Sequence, residues 1–198
     1  MTKLTNFLVL FLVLNFSSYS QNFLSTSGSS IVNENGDTII FRGMGLGGWM
    51  VQEGYMMAPG GFSSTQYQIK DRLIELIGEE ETDVFYHNWL SNHVRKIDID
   101  SMKQWGFNLI RVPIHYNLFT EPIENEPFPN AYTEKEIGFT LLDSLLSWCK
   151  QNQIYLMIDL HAAPGGQGYN ADISDYDPTK PSLWESTLNQ NKTVELWR

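Results

Sequence analysis

Two short, almost entirely apolar runs leave few options for the fold of this chain. Residues 107–113 and 154–160 each have the length and composition of a strand that is buried on both faces. Between them, apolar side chains recur at helical spacing up to about Gln151, and Thr133 and Glu136 form a capping box at the start of that helix. A strand, a helix and a second buried strand predict parallel strands joined by a crossover, as in the α/β class.

The rest of the chain extends this alternation at both ends. Residues 42–49 are rich in glycine, which predicts a tightly packed strand end, and residues 31–41 predict a β-hairpin before it, with its turn at residues 33–37. The Gly-, Pro- and Asp-rich segment 161–181 predicts a long loop. The remaining helices are expected at residues 66–77, ended by Gly78 as C-terminal cap, at 82–94, at 98–105 and from 192 onwards.

Two architectures fit this order of elements, the (β/α)8 TIM barrel and the doubly wound open sheet. The open sheet places a glycine fingerprint for phosphate between a strand and the start of a helix. The glycines of residues 43–48 do not have that spacing, and the bulky Trp49 follows them. We therefore expect a (β/α)8 barrel, with about its first three strands present in residues 21–198 and no second domain.

The first twenty residues have the pattern of a secretory signal peptide. Lys3 precedes an apolar run at residues 7–16, and small residues stand three positions and one position before Gln21. A membrane-spanning helix needs about twenty apolar residues, so we expect cleavage after Ser20, secretion to the periplasm or the extracellular space, and no membrane anchor. The formal net charge of −10 disfavours nucleic acid as a partner.

Four ionisable residues stand at or shortly after the predicted strand ends: Glu53, Arg111, Asp159 and His161. In a barrel, the active site gathers at the C-terminal ends of the strands. Asp159 and His161 are two positions apart and project to the same side of their strand. They could bind a metal ion, but no third ligand is apparent, so we expect Asp159 to hold the imidazole of His161 in place. Arg111 could bind a carboxylate at the barrel mouth or only form a structural ion pair.

Three segments together resemble a known family. Residues 43–53, 107–113 and 158–165 are similar, in order and spacing, to glycoside hydrolase family 5, the family of cellulases and exo-β-1,3-glucanases. The resemblance implies a barrel enzyme that hydrolyses β-glucosidic bonds with retention of configuration. We further expect no cofactor, and a monomer that acts on a β-glucan polysaccharide or oligosaccharide.

The same resemblance implies roles for single residues. The arginine matching Arg111 orients the nucleophilic glutamate, and the histidine matching His161 binds sugar near the cleaved bond. The glutamate matching Glu53 contacts the sugar on the non-reducing side in exo-acting members. His115 is expected on the loop beyond Pro113, where ligand contact and a solvated position are equally open. Candidate sugar platforms, each of which is more often a core residue, are Trp49, Tyr116 and Trp184.

The family also places two glutamates, the general acid/base and the nucleophile, on the fourth and seventh strands, and this chain is expected to stop before both. Asn125, Glu126 and Pro127 repeat the family's letters but lie in a polar loop, so Glu126 is not a substitute. A retaining mechanism needs two such carboxyl groups, and an open sheet edge is unfavourable. We therefore expect this portion alone to be unstable and inactive. A barrel that binds glycans without cleaving them and a metal-dependent hydrolase are the alternative interpretations.

Overall fold

The computed structural model describes residues 24–58 and 61–198. The predicted signal peptide, residues 1–20, lies outside the described residues. The chain divides into two compact units, Met1–Ile40 and Phe41–Arg198. Within the described ranges, no helix combines the length and the apolar character needed to cross a bilayer.

The described part of the first unit is a small antiparallel ribbon. Its strands are β1 (Ser25–Ser27) and β2 (Ser30–Val32). The predicted hairpin with β2 is present but shorter than predicted. Thr38 forms a single bridge to Val32, the Ile39 N–H donates to the Ile31 carbonyl at 2.8 Å, and residues 40–41 form no strand. The side-chain oxygen of Asn33 accepts hydrogen bonds from two backbone N–H groups of the intervening turn. Such side-chain bonds compete with a longer ladder.

The second unit is built on a parallel sheet. Its strands are β3 (Gly43–Gly45), β4 (Leu109–His115) and β5 (Tyr155–Ala162), hydrogen-bonded in that order. Ile110 and Val112 of the central strand are fully buried, as the apolar run predicts. The same prediction is wrong for β5, because Met157 and Ile158 are 48% and 40% exposed. Parallel strands that follow one another in sequence order, with helices in the crossovers, confirm the α/β prediction.

Five of the helices that the structure describes occupy the connections between these strands, and two more follow β5. They are α1 (Gly54–Met57), α2 (Gln66–Ile77), α3 (Glu79–Asn92), α4 (Lys96–Gln104), α5 (Glu136–Gln151), α6 (Ala171–Ser174) and α7 (Thr187–Leu196). The bounds of α2 are those predicted, and Gly78 ends it with a positive φ of 84°. Helix α3 begins earlier than predicted, since three glutamates occupy its first turn, where the helix dipole favours them. Helix α7 also begins before residue 192, because the Ser186 side chain caps it by accepting a bond from the Asn189 N–H.

Pro113 lies inside β4, although the sequence predicts that it ends the strand. Parallel strands direct alternate backbone groups to opposite neighbours. The Leu46 N–H donates to the Arg111 carbonyl at 2.9 Å, on the β3 side. The His115 N–H donates to the Met50 carbonyl at 3.2 Å on the same side. Pro113 faces the gap between these two contacts, so its missing N–H costs no ladder bond and the strand continues.

Helix α5 begins without the predicted capping box. The N–H and the hydroxyl of Thr133 instead donate to the Glu126 carboxylate at 3.0 and 2.7 Å. Lys135 precedes the first helical residue and supplies no side-chain cap. A carboxylate accepts stronger hydrogen bonds than a neutral partner does. Thr133 therefore binds Glu126 in the loop before α5 and does not cap the helix.

Gly138, in the first turn of α5, allows this helix to pack closely on the segment that follows β4. A β-carbon at this position would lie 2.7 Å from both the Leu118 carbonyl oxygen and the Phe119 ring. Alanine inside a helix is normally more stable than glycine by about 0.5–1 kcal/mol. Here we expect Gly138→Ala to lower stability by about 1–3 kcal/mol, measured as a lower melting temperature. Gly168→Ala is the control, because nothing lies within 4 Å of its β-carbon; equal melting temperatures for the two variants would contradict the close packing.

Candidate active site

Four of the predicted site residues meet at the C-terminal end of the parallel sheet. Arg111 lies in β4, and Asp159 and His161 lie in β5. Glu53 follows the bridge that Met50 forms with β4, and its side chain is almost completely buried. We call Glu53, Arg111, Asp159 and His161 the strand-end cluster, since hydrogen bonds and ion pairs connect all four.

The His161 ring lies between two carboxylates. Its Nδ1 is 2.9 Å from Asp159 Oδ2, and its Nε2 is 3.4 Å from Glu53 Oε1. Asp159 therefore holds the imidazole, as the sequence predicts.

Arg111 shares the Asp159 carboxylate with His161. Its Nη2 forms an ion pair with Asp159 Oδ2 and lies 3.1 Å from Nδ1 of His161. The Arg111 side chain remains 42% exposed, so the guanidinium has free donors for a further carboxylate. Because Asp159 and His161 are bound to each other and to Arg111, they do not present two free ligands to a metal ion. Within the described ranges, no group of three His, Cys, Asp or Glu side chains is arranged to hold one.

Tyr55 adds a hydroxyl to the strand-end cluster that the sequence analysis did not identify. Its Oη donates to Glu53 Oε1 at 3.4 Å. Burial of the hydroxyl, followed by the charge of Glu53, raises the pKa of Tyr55. Its ring is otherwise exposed. Tyr55 stands two residues after Glu53 in a short helix, and only that proximity could have indicated it from the sequence.

Gln167 fixes the loop that follows β5. Its Nε2 donates to the His161 carbonyl, and its Oε1 accepts a bond from the Ala163 N–H at 3.0 Å. The Gln167 carbonyl in turn accepts a bond from Trp184 Nε1 at 2.7 Å. The turn closes at Gly165, which has a φ of 80°. The loop is therefore bonded directly to the residue that carries the candidate imidazole.

His115 is the last residue of β4, so its predicted position on a loop is wrong. It is buried, and its Nδ1 accepts a bond from the Asn117 N–H at 3.1 Å. Its Nε2 lies 2.9 Å from Asp175 Oδ2. The other oxygen of Asp175 accepts a bond from the Tyr67 N–H at 2.9 Å. Asp175, missed by the sequence analysis, thus joins the end of β4, the start of α2 and the loop after β5.

The three candidate sugar platforms have different environments. Trp49 is a core residue, since it is 2% exposed and its Nε1 donates to the Leu90 carbonyl at 2.9 Å. Tyr116 stacks on the His115 ring at 5.0 Å, and burial raises its pKa. Trp184 is 68% exposed, with its indole fixed by the bond to Gln167. Of the three, Trp184 presents the largest open ring face.

Glu126 is bound within the protein and is not available for acid chemistry. It forms an ion pair with Lys192, and both side chains are 3% exposed. Burial alone would raise the pKa of this carboxyl, but the Lys192 ammonium and the two bonds from Thr133 outweigh it and lower the pKa to about 2. A general acid of a glycosidase needs a raised pKa. Glu126 of the Asn-Glu-Pro sequence is therefore part of a structural ion pair and not the acid.

Comparison with known proteins identifies the family. The model of the cellulase family, glycosyl hydrolase family 5, matches residues 69–194. The chain belongs to glycoside hydrolase family 5. The family match and the three parallel strands confirm the (β/α)8 barrel as its fold class, with the strands β3, β4 and β5 as the described part of the barrel.

Curated relatives match most of the chain. A β-xylosidase of Phanerodontia chrysosporium is 34% identical over 176 residues, which are 88% of this chain and 35% of the relative. A probable glucan 1,3-β-glucosidase A of Aspergillus niger is 32% identical over 78% of this chain and 36% of the relative. The chain thus spans about a third of the length of these relatives. The crystal structure of a rutinosidase from Aspergillus niger superposes with a TM-score of 0.57 at 18% identity, over 79% of this chain and 42% of that one, which supports the fold.

Proposed function

We propose that the complete protein is a secreted, retaining glycoside hydrolase that cleaves O-glycosidic bonds in β-glucans with a pair of glutamates. The observation that carries this proposal is the strand-end cluster, in which charged side chains from the ends of successive strands are bonded to one another. Family membership and relatives described as glucan 1,3-β-glucosidases support it. An acidic chain of net charge −10 suits a neutral glucan better than a polyanion.

In a retaining mechanism one carboxylate attacks the anomeric carbon while a carboxylic acid protonates the leaving oxygen. Water then hydrolyses the glycosyl-enzyme with the second group acting as base. In our proposal, both glutamates come from later strands of the barrel, and the described strands supply binding and orientation. The free donors of Arg111 hold the nucleophile, because a guanidinium can bind two carboxylates in a fixed geometry.

Glu53 and His161 bind the sugar next to the cleaved bond in this proposal. A buried carboxylate accepts hydrogen bonds from sugar hydroxyls, and each bond to a charged group contributes about 1.5–3 kcal/mol. Because Glu53 is 4% exposed, water competes weakly with a hydroxyl for its oxygens. The loop after β5, which Gln167 bonds to the His161 carbonyl, keeps His161 in place while the sugar binds. A terminal glucose fits such an enclosed carboxylate, so we propose exo-acting cleavage.

The proposal is tested with the complete barrel protein and a panel of β-1,3-glucan, cellulose, mixed-linkage glucan and mannan. We expect release of glucose from at least one β-glucan, with the β-anomer as the first product by NMR. Glu53→Gln should lower kcat/KM for terminal release by about 10- to 100-fold, since one charged hydrogen bond is weakened. Glu34→Gln, on an exposed turn, is the control.

Two outcomes would contradict the proposal. Inversion of the anomeric configuration would exclude the retaining mechanism. Adsorption to a glucan without release of reducing sugar would indicate a barrel that binds glycans without cleaving them.

A further inference from the structure

A cavity lies between helix α7 and the segment that joins β4 to α5. Its volume is about 450 Å³, and no member of the strand-end cluster lines it. Cavities that bind small molecules have volumes of about 300–1,000 Å³, so it can accept a sugar unit. The residues that matter for what it binds are Phe128, Asn130, Tyr132, Asn191, Glu195 and Arg198.

The walls of this cavity are fixed by the buried ion pair of Lys192 and Glu126. Lys192 extends from α7, and its Nζ also donates to the hydroxyl of buried Thr120 at 3.0 Å. The same ammonium lies 5.2 Å from the centre of the Tyr132 ring. Lys192 thus bonds the helix to the opposite wall. Because the walls are already ordered, little conformational entropy is lost when a ligand binds.

The charges that line the cavity cancel. Glu126 is paired with Lys192, and Glu195 is paired with Arg198 at 2.7 Å. Neither sign is in excess, so the cavity has no net charge with which to attract an anion or a cation. A neutral ligand matches this lining.

The uncharged groups of the lining select the kind of neutral ligand. Phe128 is 65% exposed and offers an open ring face. The amides of Asn130 and Asn191, joined by a 2.9 Å hydrogen bond, retain free donors and acceptors beside it. A ligand with one flat apolar face and a rim of hydroxyls satisfies both. A pyranose ring has this combination, whereas a purely apolar ligand would leave the amides unpaired.

We propose that this cavity is a second carbohydrate-binding site, which holds a segment of a neutral β-glucan away from the strand-end cluster. The proposal rests on the proposed function, because it assumes that the complete protein acts on such a polymer. Two sites on one polymer increase retention by raising the effective concentration of the second contact. The site therefore increases adsorption to a long glucan and leaves the hydrolysis of a single glucoside unchanged.

The test compares Phe128→Ala and Asn191→Ala in the complete protein. Adsorption to insoluble β-1,3-glucan is measured at low temperature, and kcat/KM is measured on a p-nitrophenyl β-glucoside. We expect about a tenfold weaker adsorption for Phe128→Ala, as for loss of one aromatic contact, with kcat/KM for the glucoside unchanged. Trp105→Ala is the control, since Trp105 is 69% exposed and lies before β4, at the opposite end of the sheet.

The outcomes separate this site from the proposed function. If the parent protein cleaves glucan and both cavity variants adsorb as it does, the second site is wrong and the hydrolase proposal stands. If the parent neither adsorbs nor hydrolyses, both proposals are wrong. If the variants adsorb weakly but the parent cleaves nothing, the second site stands and the hydrolase proposal does not.

Discussion

Lys192→Met is expected to lower the free energy of unfolding by about 3–5 kcal/mol, because it leaves the Glu126 carboxylate buried without its cation. Both side chains of this pair are 3% exposed, so solvent compensates only weakly for the lost ammonium. Methionine retains most of the apolar stem of lysine, which limits the effect to the charge. The measurement is the melting temperature of the complete protein at pH 7, together with chemical denaturation.

The matched control is Lys180→Met. Lys180 also pairs with a glutamate, Glu124, at 3.0 Å, but the two side chains are 54% and 45% exposed. Exposed pairs contribute about 0–1 kcal/mol, so this variant should melt close to the parent. Equal losses of unfolding free energy in the two variants would show that the contribution of the Glu126–Lys192 pair to stability does not depend on its burial.

The effect of Lys192→Met should also depend on pH. The folded protein holds the pKa of Glu126 near 2, below its ordinary value of 4.5. A carboxyl whose pKa is lowered by folding stabilises the protein above its unfolded pKa, and that contribution is lost as the pH falls through the folded pKa. The difference in melting temperature between parent and variant should therefore be largest at neutral pH. It should shrink from about pH 4.5 towards pH 2, since a protonated Glu126 no longer needs a cation.

The strands β4 and β5 could be predicted from their apolar runs, although burial on both faces holds only for β4, since Met157 and Ile158 of β5 are 48% and 40% exposed. Their C-terminal ends could not. β4 continues through Pro113 to His115, and β5 continues to Ala162. Whether a proline ends a strand depends on whether a neighbouring carbonyl needs the N–H that proline lacks. In β4 this is determined by the position of Met50, whose carbonyl accepts a bond from the His115 N–H instead. A local pattern does not contain this information.

The candidate site was predictable where strand geometry alone determines proximity. Asp159 and His161 contact each other because they are two positions apart on one strand, and Arg111 joins them because β4 and β5 are neighbours. Asp175 was missed because its partner His115 is 60 positions away and the residue lies in a loop with no periodic pattern. Lys192, the partner of Glu126, was missed because the two residues are 66 positions apart in the sequence.

Arg111→Lys is expected to lower kcat/KM of the complete protein by about 100-fold, a loss of about 2.7 kcal/mol of transition-state stabilisation. Lysine keeps the positive charge but lacks the planar fork, so it cannot hold Asp159 and a second carboxylate in one plane. Most of the loss should appear in kcat, because our proposal assigns Arg111 to the nucleophile. The melting temperature should change little, since the Arg111 side chain is 42% exposed and such ion pairs contribute little to stability.

Arg42→Lys is the matched control for this result. Arg42 precedes β3, at the opposite end of the same sheet, and its Nε donates to the Gly106 carbonyl at 2.9 Å. The same substitution there should leave kcat and KM at the parent values. If Arg111→Lys also retained the parent kcat, the guanidinium would not orient the nucleophile. The Arg111–Asp159 pair would then serve only to close the barrel between β4 and β5, and the catalytic orientation would have to come from residues on later strands.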